Sequence, residues 1–150
     1  MDQSVTFYTL SFDALTTDQL YALLALRSEV FVVEQNCVYQ DIDYKDQQAL
    51  HVLAYKEGDL IGYTRVFPPQ TYFKEASIGR VIIKKSARGR NLGHQLMQES
   101  IQLIENQYKT TQIKISAQTY LLEFYNRLGF QQRGEEYLED GIPHVAMFKS

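Results

Sequence analysis

The segment from Val81 to Tyr108 leaves the fewest folds open. Val81-Ile82-Ile83 is the β-branched run of a buried strand that spans Ser77 to Lys84. It passes through the basic stretch Lys84 to Arg90. Apolar residues at 92, 96, 97, 101, 104 and 108 then follow helical spacing. A strand, a short glycine-containing loop and an amphipathic helix in direct succession describe a mixed α/β domain. The loop also ends where a helix begins, and there free backbone N–H groups and the positive end of the helix dipole favour an anion. Lys84, Lys85, Arg88 and Arg90 sharpen that reading in a chain whose net charge is −3. Gly89 and Gly93 would let the backbone approach a phosphate closely.

The rest of the chain supplies further elements. Val5 to Tyr8 reads as a first strand. Thr16 and Gln19 form a capping box ahead of Leu20, Leu23, Leu24, Arg27, Val30 and Phe31, the stripe of a half-buried helix. Asn36 to Gln48 is polar and reads as a loop or a broken helix. Leu50 to Lys56 and Leu60 to Phe67 make an antiparallel hairpin around Glu57-Gly58-Asp59. Gly79 within the next strand marks a bulge or a close approach of backbone. Ile113, Ile115 and Ala117 alternate as a strand, and Leu121, Tyr125 and Leu128 line a short helix closed by Gly129. Gln131 to Leu138 and His144 to Lys149 form a last hairpin around Asp140-Gly141, with Pro143 suggesting a connection longer than two residues. No linker or repeat divides the 150 residues, so 1–150 reads as a single domain.

Several function classes fall away. A net-acidic chain with one small basic patch is a poor nucleic-acid binder, so no nucleic-acid partner is expected. The longest apolar stretch, Leu20 to Leu26, is far shorter than the roughly 18 residues of a membrane span. Met1-Asp2-Gln3-Ser4 lacks the pattern of a secretion signal. A cytoplasmic protein without a membrane partner is expected. The single cysteine, Cys37, offers no disulfide and no ligand pair. Asp41, Asp43 and Asp46 do not make a calcium loop, because the sixth position lacks Gly and the twelfth is Val52. No metal is expected. Neither the P-loop nor the GxGxxG spacing fits the Val81–Gly93 segment.

Arg88-Gly89-Arg90-Asn91-Leu92-Gly93 resembles the Gln/Arg-x-x-Gly-x-Gly/Ala pyrophosphate loop of the GNAT acetyltransferases. Phe124-Tyr125-Asn126-Arg127-Leu128-Gly129-Phe130 resembles their Phe-Tyr-x-x-x-Gly-Phe segment, in the expected order and on the expected elements. Phe31 to Cys37, Tyr39 to Asp43, Ile78 to Ile82 and Glu139 to His144 look like the ElaA branch of that superfamily. The likeness runs from about residue 20 to the end. Asn91 departs from the pattern's middle Gly, although Asn tolerates positive φ. Gln118 stands where Asn often contacts the pantetheine arm.

The resemblance implies an α+β fold with a mixed central sheet of about six to seven strands flanked by helices. Two splayed parallel strands, here 77–84 and 112–117, would form the coenzyme A cleft. It also implies acetyl-CoA as co-substrate and direct attack by a primary amine, without an acyl-enzyme. Backbone groups of Val81, Ile82 and Ile83 would pair with the pantetheine arm, an N–H near Val81 would face the thioester carbonyl, and amides 88 to 93 would hold the pyrophosphate. Gln118 would contact the arm. Tyr125 matches the group that donates to the departing thiolate. An ordinary tyrosine is a weaker acid than a thiol by about 1.5 pKa units, so hydrogen bonding to the thiolate is its main expected part. Glu34 and His144 are the candidate bases, with a water relay as alternative. Histidine titrates in the more suitable range. Phe31, Glu34, Gln35 and Asp140 are candidates for the acceptor side, and acids at 34, 41, 43, 139 and 140 would favour a cationic amine if they rim one pocket. A non-catalytic acyl-CoA-binding module on the same fold is the alternative function. Exposed strand edges are compatible with a homodimer.

Overall fold

The computed structural model describes residues 4–150; Met1 to Gln3, part of the segment read as lacking a secretion signal, lie outside the described residues. Strand β1 (Thr6–Ser11) is followed by α1 (Thr17–Arg27), which starts as the sequence predicts. Thr16 Oγ1 accepts from the Gln19 amide at 3.0 Å while the Gln19 side chain accepts from the Thr16 amide at 2.8 Å. An N-cap of this kind contributes about 1 kcal/mol. The helix does not run on to Phe31 in α form. It widens at Ser28 into a π-helical segment, Ser28–Glu34.

Strands β2 (Leu50–Lys56) and β3 (Asp59–Phe67) form the predicted hairpin, joined by Glu57 and Gly58, both at positive φ as a type I′ turn requires. Then come β4 (Ser77–Ile83), α2 (Leu92–Tyr108), β5 (Ile113–Gln118), α3 (Leu122–Asn126), β6 (Gln131–Gln132), β7 (Tyr137–Glu139) and β8 (Ile142–Lys149). The expected long strand 131–138 is broken into β6 and β7, which pair with different parts of β8. The last turn is shorter than Pro143 suggested. Asp140 and Gly141 close it alone, both at positive φ. Pro143 is tolerated inside β8 because the ladder with β5 ends at Gln118–His144, so the missing N–H has no strand to serve there.

The expectation of one mixed sheet of six to seven strands is corrected. Among the described residues eight strands form two four-stranded sheets, β1-β2-β3-β4 and β5-β8-β6 with β7 also on β8, and every ladder between them is antiparallel. The strands expected to splay from a shared parallel pairing, β4 and β5, share only one parallel bridge, Ala76–Ile113, with the Lys114 amide donating to the Ala76 carbonyl at 2.9 Å. The cause is local. The β3–β4 register slips by one residue between Tyr63 and Arg65, opposite Arg80 and Val81, and Arg80 takes a φ of 49°. A bulge of this kind bends and twists the strand. Gly79 predicted the bulge, but the left-handed residue is its neighbour.

The first sheet is covered on both faces. Leu23, Leu26 and Val30 pack on Leu53, Tyr63 and Ile82. On the other face Leu96, Met97, Ile101 and Ile104 of α2 pack with Val52, Ala54, Ile115 and Met147, so this core joins the two sheets. Arg27 and Arg65 are buried too. They share Asp46 Oδ1 at 2.7 and 2.9 Å; Arg27 also reaches Asp41 and Arg65 also reaches Asp43. Arg80 joins the group. Its Nη2 donates to the Asp41 carbonyl at 2.9 Å, and its Nε lies 2.7 Å from Asp41 Oδ1, off the hydrogen-bond axis. Three arginines and three aspartates thereby fix the 36–48 loop onto β3 and β4.

Candidate functional site

A cleft of about 110 Å³ opens between β4 and β5, where the two sheets part. Ile78 to Val81 form one wall, and Ile115, Ser116 and Gln118 form the other. Tyr125 also lines it. Glu139, Asp140 and His144 close it from the β7–β8 hairpin, Phe31 comes from the π-helical segment, and Gln35 caps that segment's end. The cleft therefore gathers Phe31, Gln35, Val81, Gln118, Tyr125, Asp140 and His144 from the residues expected by sequence. Glu34, Ile82, Ile83 and residues 88–93 do not line it. The Ile82 side chain is buried on the α1 face, because alternate β4 side chains point to opposite faces.

The loop after β4 lies outside the cleft mouth. Gly89 has φ 86° and Asn91 has φ 61°, so Asn91 adopts the left-handed conformation that its residue type tolerates and α2 begins directly behind it. The backbone amides of 89 to 94 donate no hydrogen bond within the described residues, and those of Leu92 to His94 form the open first turn of a 17-residue helix. A Cβ at Gly93 would meet the Phe124 ring at 3.4 Å, an ordinary van der Waals contact, so α2 packs beside α3 at this position. The Arg88 side chain bridges the end of β4 and the π-helical segment. Its Nε donates to the Ile83 carbonyl at 2.9 Å, and its two terminal nitrogens donate to the Glu34 carboxylate at 2.5 and 2.9 Å. Those hydrogen bonds hold the Glu34 carboxyl below the usual range. Glu34 is thus ionised but already committed.

Tyr125 is buried against Phe124 and Phe130, and among the described residues its hydroxyl has no hydrogen-bond partner. Burial raises its pKa, so the phenol keeps its proton. Gln35 Nε2 donates to Gln118 Oε1 at 3.3 Å, tying the cap of the π-helical segment to β5. The Asp140 carbonyl accepts from Cys37 Sγ at 3.2 Å.

His144 is nine-tenths buried. Its Nδ1 lies 2.7 Å from the Ile142 carbonyl, which can only accept, so Nδ1 bears a proton and Nε2 is the ring nitrogen through which the imidazole can take up or release one. Nε2 makes no hydrogen bond within the described residues; Glu139 Oε2 stands 3.9 Å away. Tyr137 stacks on the imidazole, and the Ser116 hydroxyl meets both Tyr137 Oη and Glu139 Oε1, the latter at 2.9 Å.

Ser116, Tyr137 and the specific place of Glu139 were missed by sequence reasoning, since Ser116 lies on β5 and the other two on β7, more than twenty positions later, and no spacing links the two strands. The buried arginine group was missed as well, although Arg27 within an apolar helical stripe was a usable signal. Of the five acids expected to rim one pocket, Asp41 and Asp43 are bound by arginines, and Glu34 by Arg88. Only Glu139 and Asp140 face the cleft. Among the described residues no group of His, Cys, Asp and Glu is arranged to hold a metal ion. No helix there is long and apolar enough to cross a membrane.

Comparison with known proteins bears on this site. The family model described as "Acetyltransferase (GNAT) domain" matches residues 13–150. Protein ElaA of Escherichia coli K12 is 42% identical over 135 residues, covering 89% of this chain and 88% of that protein. Two crystal structures superpose with a TM-score of 0.92 each: an acyl-CoA N-acyltransferase from Pseudomonas aeruginosa and E. coli ElaA. They are 41% and 38% identical, and each alignment covers 98% of this chain and 100% of the other.

Proposed function

Because the chain belongs to the GNAT acetyltransferase family, we propose that it moves an acetyl group from acetyl-CoA to a primary amine, within the cleft between β4 and β5. The single observation that carries this reading is the pair of unpaired strand edges meeting only at Ala76–Ile113, with the open amides of 89–94 following β4 and Tyr125 and His144 lining the cleft between the edges. The free edge of β4 offers the backbone groups of Val81, Ile82 and Ile83 to a pantetheine arm, and Gln118 offers its amide from β5. Amides at Gly89, Arg90, Asn91, Leu92 and Gly93 suit a pyrophosphate, as a helix N-terminus does. Arg88 and Glu34 brace that mouth. Phe31, Gln35 and Asp140 belong to the acceptor side.

His144 Nε2 takes a proton from the acceptor ammonium and leaves a neutral amine. The amine nitrogen attacks the thioester carbonyl; a C–N bond forms as the C–S bond breaks, and a backbone N–H near Val81 steadies the negative charge on oxygen. Losing one such donor in other enzymes costs about 2.7–4 kcal/mol. The Tyr125 hydroxyl donates a hydrogen bond to the departing thiolate, which finally takes the second amine proton. Overall, ammonium and acetyl-CoA become amide, free CoA thiol and one proton. Glu34 is the weaker candidate base, because its lone pairs and charge already serve Arg88.

Calorimetric titration with acetyl-CoA tests the reading. Wild-type protein should bind one equivalent, and Arg88→Ala, which unties the mouth, should bind more weakly. No binding at millimolar acetyl-CoA would overturn it. Tyr125→Phe separates the enzyme from an acyl-CoA-binding module. Turnover should fall roughly 10- to 1000-fold, on the scale of general-acid effects, while acetyl-CoA affinity holds. Undiminished turnover would remove Tyr125 from the mechanism.

A further inference from the structure

The charges lining the cleft do not cancel. Arg65 and Arg80 both border it, yet Asp41, Asp43 and Asp46 neutralise them together with Arg27. The carboxylates of Glu139 and Asp140 remain, and among the described residues neither pairs with lysine or arginine. Glu139 is the inner of the two. Ser116 fixes its Oε1 at 2.9 Å, which leaves Oε2 turned toward His144 Nε2 at 3.9 Å, too long for a hydrogen bond. Both atoms face the same cleft. Nε2 belongs to a side chain nine-tenths buried and makes no hydrogen bond there, so it points independently to a ligand.

The geometry points to Glu139 as the acceptor-binding residue, a carboxylate that holds a cationic primary amine beside the proton-accepting Nε2 of His144. This rests on the transferase reading for the direction in which the acetyl group arrives. An ammonium lodged on Oε2 is within reach of Nε2, which removes one of its protons; the imidazolium so formed lies against the same carboxylate. Phe31, Phe67, Tyr72 and Phe73 line the remaining wall, so the acceptor class is an ammonium on a short chain ending in a flat apolar group. Asp140, exposed at the rim, adds long-range attraction without contact.

The test uses 2-phenylethylamine, a cation at neutral pH, and 2-phenylethanol, its neutral counterpart of similar shape. Both are titrated calorimetrically into wild-type protein and Glu139→Gln, each with and without saturating CoA. A charge-assisted hydrogen bond predicts that wild type prefers the amine roughly 10- to 100-fold. Glu139→Gln should erase that preference while keeping CoA affinity and the far-ultraviolet circular dichroism of wild type. A preference that persists in Glu139→Gln overturns the inference. So does a wild type that shows no preference or binds neither compound. Failure of wild type to bind CoA counts against the transferase reading alone, because the titrations without CoA still report whether Glu139 selects a cation.

Discussion

His144→Gln should lower kcat/KM for a cationic amine roughly 100- to 10,000-fold, the range of general acid–base catalysis, with acetyl-CoA affinity near wild type. The size follows from geometry. The Ile142 carbonyl fixes the proton on Nδ1, so Nε2 is the one ring nitrogen able to accept, and it opens into the cleft. An amide at this position can still donate to that carbonyl and fill the space under Tyr137, but it cannot take a proton. Steady-state rates with two acceptors make the result decisive. An amine that is already neutral at the assay pH needs no base before attack, so it should lose far less. Equal losses with both acceptors would mean that His144 only shapes the hairpin; a loss below about threefold with the cationic amine would leave proton removal to water.

Asp46→Ala should cost about 3–5 kcal/mol of folding stability, the usual result of removing one partner from a buried ion pair. Asp46 Oδ1 serves Arg27 and Arg65 at once, and both guanidinium groups are out of water. A domain of this kind has about 5–15 kcal/mol in hand, so urea unfolding should show a large drop in midpoint. The pH dependence has a definite sign. Burial pushes the Asp43 carboxyl up, but hydrogen bonds and charge from Arg65, with the Lys45 amide and Arg80, more than offset it and hold it at about 2. Burial likewise opposes Asp46, and Arg27 and Arg65 still bring it below the ordinary value. Groups lowered in the fold contribute stability above their unfolded pKa near 3.9, and that contribution disappears as pH falls through the folded value. Wild type should therefore lose stability steeply from about pH 4 toward pH 2, and Asp46→Ala should show a shallower acid limb. A midpoint within experimental error of wild type would mean that the two arginines find water or other acceptors.

Much of the scaffold was legible because its signals are local. Thr16 and Gln19 announce α1, the spacing from Leu92 to Tyr108 gives α2, and Val81-Ile82-Ile83 marks β4 with the loop behind it. The pyrophosphate-loop motif located Gly89 and Asn91, and both adopt left-handed backbone in the structure. What escaped depends on partners far apart in the chain. Asp41, Asp43 and Asp46 read as solvated loop acids because the arginines that bind them lie on α1, β3 and β4. Glu34 reads as a candidate base until Arg88, fifty-four positions later, is seen to hold it. The division into two sheets was equally hidden, since nothing in the residues from Ala76 to Ile83 says how many rungs β4 shares with β5. The bulge at Arg80 decides that, and an arginine with positive φ is not a pattern that propensity supplies.

The widened turn between Ser28 and Glu34 has a bearing on ancestry. A π-helical turn is geometrically an α-helix that has gained a residue, and one residue corresponds to about 100° of rotation around the axis. Phe31, Gln35 and the Glu34 brace owe their facing to that added length, whereas Leu23 and Leu26 upstream keep theirs from the ordinary pitch. Closing the turn by a single-codon deletion would leave α1 seated and swing a different set of side chains toward the cleft. Which side chains this segment presents to the cleft is thus open to change by insertion and deletion as well as by point substitution, at a place where the sheets need not move.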